Sequence, residues 1–334
     1  MFSINIDGLD KVGKHTSVLA TINQLLKNNK KVLYMDLPQY WFFGNIVSKV
    51  LKSENIGVDN RREIEIRCVL YSLDRILSVL YFQECGLNFD DYILVSDRGW
   101  TSLTITIGYA IAQGKISEDD VPEFINKISY WDREYIKYFK PKTIFLTVGD
   151  DGQSAMDKGI FQREDVFEQP EPQKQSLRLY KQYMNLPVVL TQINGEWRPV
   201  NQIVEDVFVK LGLNLELDSS TEINNVDDLF IFGPSKYFPF LYGDEWKVQK
   251  EKFGDSLEKL LYYNTINDKN ALKEIEKEIS ETAINNLPNK KYFNIPESIK
   301  MWFKTTFSEY EELEKIIAQY SNNEFAAYIK SFGD

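Results

Sequence analysis

The amino-acid sequence predicts an α/β fold with a five-stranded parallel sheet, helices on both of its faces and a mainly helical C-terminal domain. Three observations predict this fold. Short apolar, β-branched segments alternate with longer helical patterns through the first two thirds of the chain, which favours a parallel sheet covered on both faces. A glycine-rich loop lies where the first of these segments meets the first helical pattern. The last third carries apolar residues at helical spacing.

Five segments are expected to form the sheet, because each is short and consists mainly of apolar or β-branched residues. They are residues 2–6, 31–35, 92–96, 143–148 and 188–193. Helical patterns lie between them, and the clearest cover residues 16–27 and 61–83. Such helices supply the crossover connections that parallel strands require.

The use of arginine and histidine divides the chain. The one histidine is His15 and the last arginine is Arg198. Because both residue types are common in phosphate binding and proton transfer, we expect the chemistry in the first two thirds. We predict a domain over residues 1–213, a polar linker over 214–226 and a helical domain over 227–334. Two apolar sets predict helical faces in the last domain, namely Leu272, Ile275 and Ile279, and Leu313, Ile316, Ile317 and Tyr320.

The composition excludes several classes of protein. The chain has 334 residues, of which 43% are hydrophobic and 27% charged, which excludes a disordered or collagen-like chain. The net charge of −11 argues against a protein whose task is to grip nucleic acid. Two cysteines form no disulfide framework and fit a reducing compartment. The sequence has no signal-peptide pattern and no apolar run of about 18 residues, so we expect a cytoplasmic protein without a membrane span.

The strongest motif is a glycine-rich loop over residues 8–16 (GLDKVGKHT), between a predicted strand and a predicted helix. Glycines let the backbone wrap so that successive N–H groups converge on an anion, and the helix N-terminus adds partial positive charge. Lys14 is expected to reach the terminal phosphates of a nucleotide. The competing interpretation is a chance glycine turn before a helix. The residues expected to bind the phosphates of a nucleotide are Gly8, Asp10, Gly13, Lys14, His15 and Thr16.

His15 departs from this pattern, because a serine or threonine whose hydroxyl binds Mg²⁺ normally follows the lysine. Several alternatives stay open. Thr16 or a water takes over the metal, metal binding is weaker, or the neutral imidazole binds the metal itself, although Mg²⁺ prefers oxygen. The favoured interpretation is that His15 lies beside the metal ligands and is not one of them.

A second candidate site follows the third predicted strand, at Asp97 and Arg98. In an open α/β sheet, residues just beyond the carboxyl ends of the strands line the ligand crevice. Asp97 is therefore expected to hold Mg²⁺ through water or to orient the attacking group, and Arg98 to bind a second phosphate. The competing interpretation is a surface ion pair.

Taken in order, these motifs resemble those of thymidylate kinase and its relatives among the nucleoside monophosphate kinases, over residues 1–213. Residues 8–16 are similar to the family's G-x-D-x-x-G-K-S-T loop, and residues 70–75 (LYSLDR) to its L-F-S-A-N-R helix segment. Residues 97–102 (DRGWTS) are similar to D-R-Y-x-x-S, and residues 162–165 (QRED) to the E-R-Y-E of its lid. The resemblance implies a P-loop kinase fold with strand order 2-3-1-4-5 and transfer of phosphate from ATP, with Mg²⁺, to a nucleoside monophosphate.

The resemblance also implies roles for single residues. Lys14, Asp97, Arg98 and Arg163 would be catalytic, with Arg163 closing over the transferring phosphate from the lid. Thr16 and Asp97 would hold the metal. The acceptor nucleotide would be bound by Pro38, Tyr71, Arg75, Arg98 and Ser102.

Tyr71 and Arg75 are spaced i and i+4, so they share one helix face, and one can hold the base while the other holds the phosphate. The alternative for this pair is an ordinary helix with a core tyrosine and a solvated arginine.

Four departures from the family's pattern fall in one site. His15 replaces the metal-binding hydroxyl, and Gly99 replaces the usual tyrosine of D-R-Y. The loop after the second strand (DLPQY, residues 36–40) keeps Pro38 and lacks the family's arginine, and the lid-like stretch has a single arginine, Arg163. These changes are consistent with an altered substrate, a slow kinase or a protein that only binds nucleotide.

Three functions are therefore carried forward. The first is an ATP-dependent kinase of a deoxynucleoside monophosphate, dTMP or a related pyrimidine nucleotide, with no nucleic-acid or membrane partner and with a homodimer allowed. The second is a kinase acting on a modified base or nucleoside in DNA, which the acidic charge disfavours. The third is a non-catalytic nucleotide-binding or assembly module that works through residues 215–334.

Overall fold

The computed structural model describes residues 2–37, 59–84, 92–149, 166–217 and 294–334, together with residues 47, 49, 229–231 and 274. The predicted fold class is confirmed. Five parallel strands form a sheet in the order 2-3-1-4-5 with helices around it, and the C-terminal region is helical. A further short strand, which precedes the C-terminal region, continues the sheet beyond the second strand.

The strands fall close to their predicted positions. They are β1 (Phe2–Gly8), β2 (Lys31–Asp36), β3 (Tyr92–Asp97), β4 (Pro141–Thr147) and β5 (Val188–Leu190), a hairpin of β6 (Gln192–Ile193) and β7 (Glu196–Trp197), and β8 (Leu229–Ile231). β1 is central and pairs in parallel with β3 and β4. Ile6 of β1 is in register with Asp97 of β3, and Gly8 is in register with Leu146 of β4. The carboxyl ends of three strands therefore meet at the glycine-rich loop.

β1 is buried on both faces, as a central parallel strand must be. Ile4 and Ile6 are inaccessible to solvent, and so are the alternate residues Ser3, Asn5 and Asp7. The polar side chains on that second face are hydrogen-bonded; the Ser3 hydroxyl, for example, donates to the carbonyl of Phe139 at 2.9 Å. One face of β1 is thus an apolar core and the other a polar one.

Seven α-helices have described bounds within residues 2–217. They are α1 (Lys14–Lys27), α2 (Arg61–Glu84), α3 (Leu103–Ala112), α4 (Val121–Trp131), α5 (Arg133–Phe139), α6 (Pro170–Leu179) and α7 (Val200–Leu211). α1 packs against β1, β3 and α7, and α3 packs along α6. The start of the predicted linker is tied to the end of α1, because the Asn28 side chain bonds the backbone of Glu216 in both directions.

Two predicted boundaries are wrong. The predicted strand over residues 188–193 is divided, because β5 ends at Leu190 and residues 192–193 pair antiparallel with β7. The Thr191 N–H between them donates to the carbonyl of Thr147 at 2.9 Å. The first helix begins at Lys14 and not at residue 16, because Gly13 ends the loop in a left-handed conformation.

The chain divides into two compact units. The first is Met1–Met35, Val58–Cys68 and Asn88–Phe230, and the second is Asp36–Gly57, Val69–Leu87 and Ile231–Asp334. The first unit holds most of the sheet and the glycine-rich loop. α2 contributes residues to both units. The division into domains over 1–213 and 227–334 stays a prediction.

The second unit includes three C-terminal helices, α8 (Glu297–Glu309), α9 (Glu312–Tyr320) and α10 (Asn323–Lys330). On α9, Leu313 and Ile317 are buried and lie on the apolar face predicted from the sequence. The Asn322 side chain caps α10 by accepting the N–H of Phe325 at 2.7 Å. Leu272, Ile275 and Ile279, which predict a further helical face, lie outside the described residues.

In the described ranges, none of the helices combines the length and the apolar character needed to cross a lipid bilayer.

Candidate functional site

The glycine-rich loop connects β1 to α1, in the predicted context. The first N–H groups of α1 have no partner in a preceding turn, so the start of the helix is a ready site for an anion. Gly8 has a φ of +151°, and a Cβ there would lie 2.3 Å from the carbonyl oxygen of Leu146 in β4. Gly13 has a φ of +83°. The loop therefore requires glycine at Gly8 for both space and conformation.

Lys14 points back into the loop. Its side chain is buried, and Nζ donates to the carbonyl oxygen of Leu9 at 2.6 Å and lies 3.6 Å from Oδ1 of Asp10. Burial lowers the pKa of the ammonium to about 8. The cation expected to meet phosphate is therefore held inside the loop, close to the start of α1.

Arg98 shares the carboxylate of Asp10 with Lys14, since its Nη2 donates to Oδ1 of Asp10 at 2.9 Å. Burial alone raises the pKa of Asp10, but the positive charges of Lys14 and Arg98 outweigh it and lower that pKa to about 2. Burial alone lowers the pKa of the Arg98 guanidinium, but the negative charge of Asp10 and neighbouring carboxylates raises it above its usual range. Two predicted phosphate-binding cations thus converge on one carboxylate.

The backbone of Arg98 is also unusual, because this non-glycine residue has a φ of +71°. Its N–H donates to the carbonyl of Ile6 at 3.1 Å, and its carbonyl accepts the hydroxyl of Ser96 at 2.5 Å. Left-handed conformations of large residues cost free energy and persist where surrounding bonds enforce them. Arg98 is therefore held in place at both its backbone and its side chain.

His15 faces Asp97. Its Nδ1 lies 3.3 Å from Oδ2 of Asp97, and the imidazole is 40% exposed while the carboxylate is 12% exposed. Thr16 is exposed. His15 thus stands where the pattern expects a metal-binding hydroxyl, and its ring nitrogen contacts Asp97, the residue expected to bind the metal.

Over the described part of the chain, no group of three histidine, cysteine, aspartate or glutamate side chains is placed to hold a metal ion. Mg²⁺ in phosphate-transfer sites is usually bound through one or two carboxylates together with substrate phosphates and waters. Asp97 offers one such carboxylate. Its chemistry suits a magnesium ion that arrives with a nucleotide, while the expected role of Thr16 stays a prediction.

Asp7 and Thr101 are site residues that the sequence analysis missed. Asp7 has no exposed surface, and its carboxylate accepts hydrogen bonds from the hydroxyls of both Thr101 and Ser102. Burial raises the pKa of Asp7, and the two hydrogen bonds act against that rise. Ser102, which is expected to lie near an acceptor base, is therefore bonded to the last side chain before the loop.

Gln173 on α6 is a further residue that the sequence analysis missed. Its Oε1 accepts the N–H of Asp10 at 3.0 Å, and its Nε2 donates to Oδ2 of Asp10 at 3.0 Å. No local pattern marks it, since the two residues are 163 positions apart in the chain. Only its place on the helix after the lid-like stretch connects it to a motif.

Tyr71 and Arg75 belong to the second unit, and both lie on α2 as predicted. Arg75 is buried, with Nη2 at 3.4 Å from the hydroxyl of Ser72, and Tyr71 is half-buried. This is the opposite of the alternative with a core tyrosine and a solvated arginine. Pro38 and Arg163 lie outside the described residues, so their expected roles stay predictions.

The described site in the first unit combines two buried or partly buried cations with a helix N-terminus. It places Lys14, Arg98 and the N-terminus of α1 around one loop, with Asp10 as the carboxylate that the two side chains share. Neither the comparison with protein-family models nor the search of curated proteins found a match for the chain.

Proposed function

We propose that this protein transfers the terminal phosphoryl group of ATP to a deoxynucleoside monophosphate, dTMP or a related pyrimidine nucleotide, giving ADP and the diphosphate. One observation carries the proposal. The ammonium of Lys14 lies buried inside the loop between β1 and α1, and it shares Asp10 with the guanidinium of Arg98.

Phosphoryl transfer depends on positioning and on neutralising charge more than on covalent chemistry by the protein. In the proposal, the loop N–H groups and Lys14 bind the phosphates of ATP, and Arg98 binds the phosphoryl group being transferred or the acceptor phosphate. Mg²⁺ supplies further neutralisation of phosphate charge when bound, held by Asp97 with Thr16. Asp10 offsets part of the positive charge of Lys14 and Arg98 and orients both side chains before nucleotide arrives.

The identity of the acceptor rests on the motif resemblance. It implies that Tyr71 would bind the base, that Arg75 would bind the acceptor phosphate and that Ser102 would lie near the base. Pro38 would line the acceptor site, and Arg163 would act from the lid. The proposal includes ATP and Mg²⁺ as cofactors and no nucleic-acid or membrane partner. It also includes a cytoplasmic location, because the chain has two cysteines and no disulfide framework, which fits a reducing compartment.

A second candidate function is favoured by the contact between His15 and Asp97. An imidazole 3.3 Å from the expected metal ligand stands where the pattern expects a hydroxyl. A protein with this change can bind nucleotide and turn it over slowly or not at all. In that case residues 215–334 would serve an assembly or sensing role.

The test is ADP formation from Mg²⁺-ATP across a panel of ribo- and deoxynucleoside monophosphates. We expect turnover with dTMP or a close pyrimidine, and a loss of about a hundredfold or more in Lys14→Ala, the range seen when one charge-stabilising donor is removed. Lys330→Ala is the matched control, because Lys330 makes an exposed ion pair with Glu314 on the C-terminal helices. Bound ATP without ADP from any acceptor would favour the second candidate.

A further inference from the structure

We propose that Gln173 is a positioning residue that holds the glycine-rich loop in the conformation that binds phosphate, by fastening Asp10 through both its backbone and its carboxylate. The inference rests on the proposed function, because it concerns the same loop. It assigns a role to a residue outside every motif identified in the sequence.

The carboxamide of Gln173 makes three hydrogen bonds. Oε1 accepts the N–H of Asp10 at 3.0 Å, while Nε2 donates to Oδ2 of Asp10 at 3.0 Å and to the carbonyl of Phe167 at 2.8 Å. Gln173 has no exposed surface. In a buried site each of these bonds matters, because losing one partner leaves the other without water to replace it.

The two oxygens of the Asp10 carboxylate have different partners. Oδ2 is bonded by Gln173, which turns Oδ1 toward Arg98 at 2.9 Å and Lys14 at 3.6 Å. The orientation of the carboxylate therefore sets the position of both cations. Gln173 contacts neither cation in these bonds and acts on them through Asp10.

The carboxamide is itself held on its far side. The third bond joins it to the carbonyl of Phe167. The centroid of the Phe167 ring lies 4.8 Å from that of the Tyr109 ring and 5.3 Å from the guanidinium carbon of Arg67. Gln173 also lies in the first turn of α6, which begins at Pro170. A side chain held by its helix and by Phe167 is a fixed support for the glycine-rich loop.

Glutamine is the residue type that this arrangement requires. The site needs one acceptor for an N–H and one donor for a carboxylate, which a carboxamide supplies from a single planar group. Gln173→Glu keeps the acceptor, loses the donor and sets a second carboxylate beside Asp10. Gln173→Leu keeps similar bulk and loses all three bonds.

The first measurement is amide hydrogen exchange of the loop in the full chain without nucleotide. Gln173→Leu is expected to speed exchange at Asp10 about tenfold or more, because the N–H loses its acceptor. The matched control is Gln175→Leu, two residues along α6, where the side chain bonds Glu171 and not the loop. Equal exchange in the two variants would overturn the proposal.

The second measurement is the dissociation constant of ATP. We expect Gln173→Leu to weaken ATP about tenfold and Gln173→Glu to weaken it further, with Gln175→Leu unchanged. In an Asp10→Asn background the effect of Gln173→Leu should shrink, because the carboxylate it orients is gone. The same cost in both backgrounds would indicate a merely structural role and would contradict the proposal. If Gln173→Leu does not fold, Gln173→Glu decides the same comparison.

The two hypotheses fail in different ways. If the wild-type chain makes no product from ATP and any nucleoside monophosphate, the proposed function fails, while the exchange rates still decide whether Gln173 holds the loop. If turnover is present and exchange at Asp10 does not depend on Gln173, the positioning role fails and the kinase function stands.

Discussion

The side chain of Asn5 occupies the space beside Gly99 in which a Cβ would lie. A Cβ built on Gly99 would be 2.2 Å from Nδ2 and 2.9 Å from Cγ of Asn5, far closer than van der Waals contact. Asn5 is held there by the hydroxyl of Tyr135, which accepts its Nδ2 at 3.3 Å. The glycine that stands in place of the expected tyrosine is thus matched by a buried asparagine on the neighbouring strand.

We predict that Gly99→Ala destabilises the protein by about 2 kcal/mol, because the new methyl overlaps a buried side chain. Asn5→Ala removes most of that overlap. The double variant should therefore be more stable than the sum of the single effects predicts, by about 1 kcal/mol or more, as contacting residues usually show. The free energy of unfolding in urea measures all four proteins. Strict additivity would show that Asn5 does not limit the space at Gly99.

Gly8→Ala should be among the most damaging small substitutions in the chain. Its Cβ would lie 2.3 Å from a backbone oxygen of Leu146, which cannot move without distorting β4. We expect a loss of about 3 kcal/mol or more, from overpacking together with backbone strain. Gly114→Ala is the control, because Gly114 also has positive φ but a Cβ added there would meet nothing within 4 Å, so strain of about 1 kcal/mol is expected. Equal losses in the free energy of unfolding by urea for Gly8→Ala and Gly114→Ala would contradict the close approach of Gly8 to Leu146.

Asp7 gives a pH dependence of stability. Burial raises its pKa in the folded protein above that in the unfolded chain. Between those two values the folded protein binds more protons, so its stability falls as the pH rises. Asp7→Asn does not titrate, and either hydroxyl partner can accept its NH₂ group. We expect the free energy of unfolding of the variant to rise relative to that of the wild type as the pH increases above the ordinary aspartate pKa of 3.8. A difference that stays constant with pH would contradict the raised pKa.

Lys14 should couple ATP binding to proton uptake. Burial lowers its pKa to about 8, so at about pH 9 most free protein carries a neutral amine. The phosphates favour the ammonium, so binding restores the proton and ATP affinity falls as the pH rises above 8. Calorimetry in two buffers of different ionisation enthalpy should find close to one proton taken up per ATP near pH 9 and almost none near pH 6.5. Lys14→Arg, which stays charged, should abolish the uptake. Wild-type uptake that does not change with pH would contradict the depressed pKa.

Local patterns predict much of the fold. The short apolar strands, the loop at residues 8–16 and the apolar face of α9 all depend on residues near one another in the chain, so periodicity and glycine spacing identify them. The sequence analysis missed the division of residues 188–193 into two strands, although Asn194 and Gly195 mark it, because both have the positive φ of a two-residue hairpin turn between β6 and β7. The Thr191 N–H still donates to the carbonyl of Thr147, as in a continued β5, and the chain then leaves β4 to form the hairpin.

The candidate site is predictable only in part, for the same physical reason. Lys14, Asp97 and Arg98 belong to motifs that surround a loop or follow a strand, so their class of role is apparent from sequence. The contacts of Asp10 with Gln173 and of Asp7 with Thr101 join residues far apart in the chain. Pairings of this kind are set by the packing of α6 and the start of α3 near the sheet, and no spacing rule gives them.

The most direct test is a single-turnover reaction with γ-labelled ATP, Mg²⁺ and dTMP, at protein concentrations above that of ATP so that a slow kinase is also detected. We expect labelled dTDP in a wild-type reaction and a loss of about a hundredfold or more with Lys14→Ala. Label that stays on ATP, or appears only as inorganic phosphate, in a protein that binds ATP would contradict the proposed kinase function.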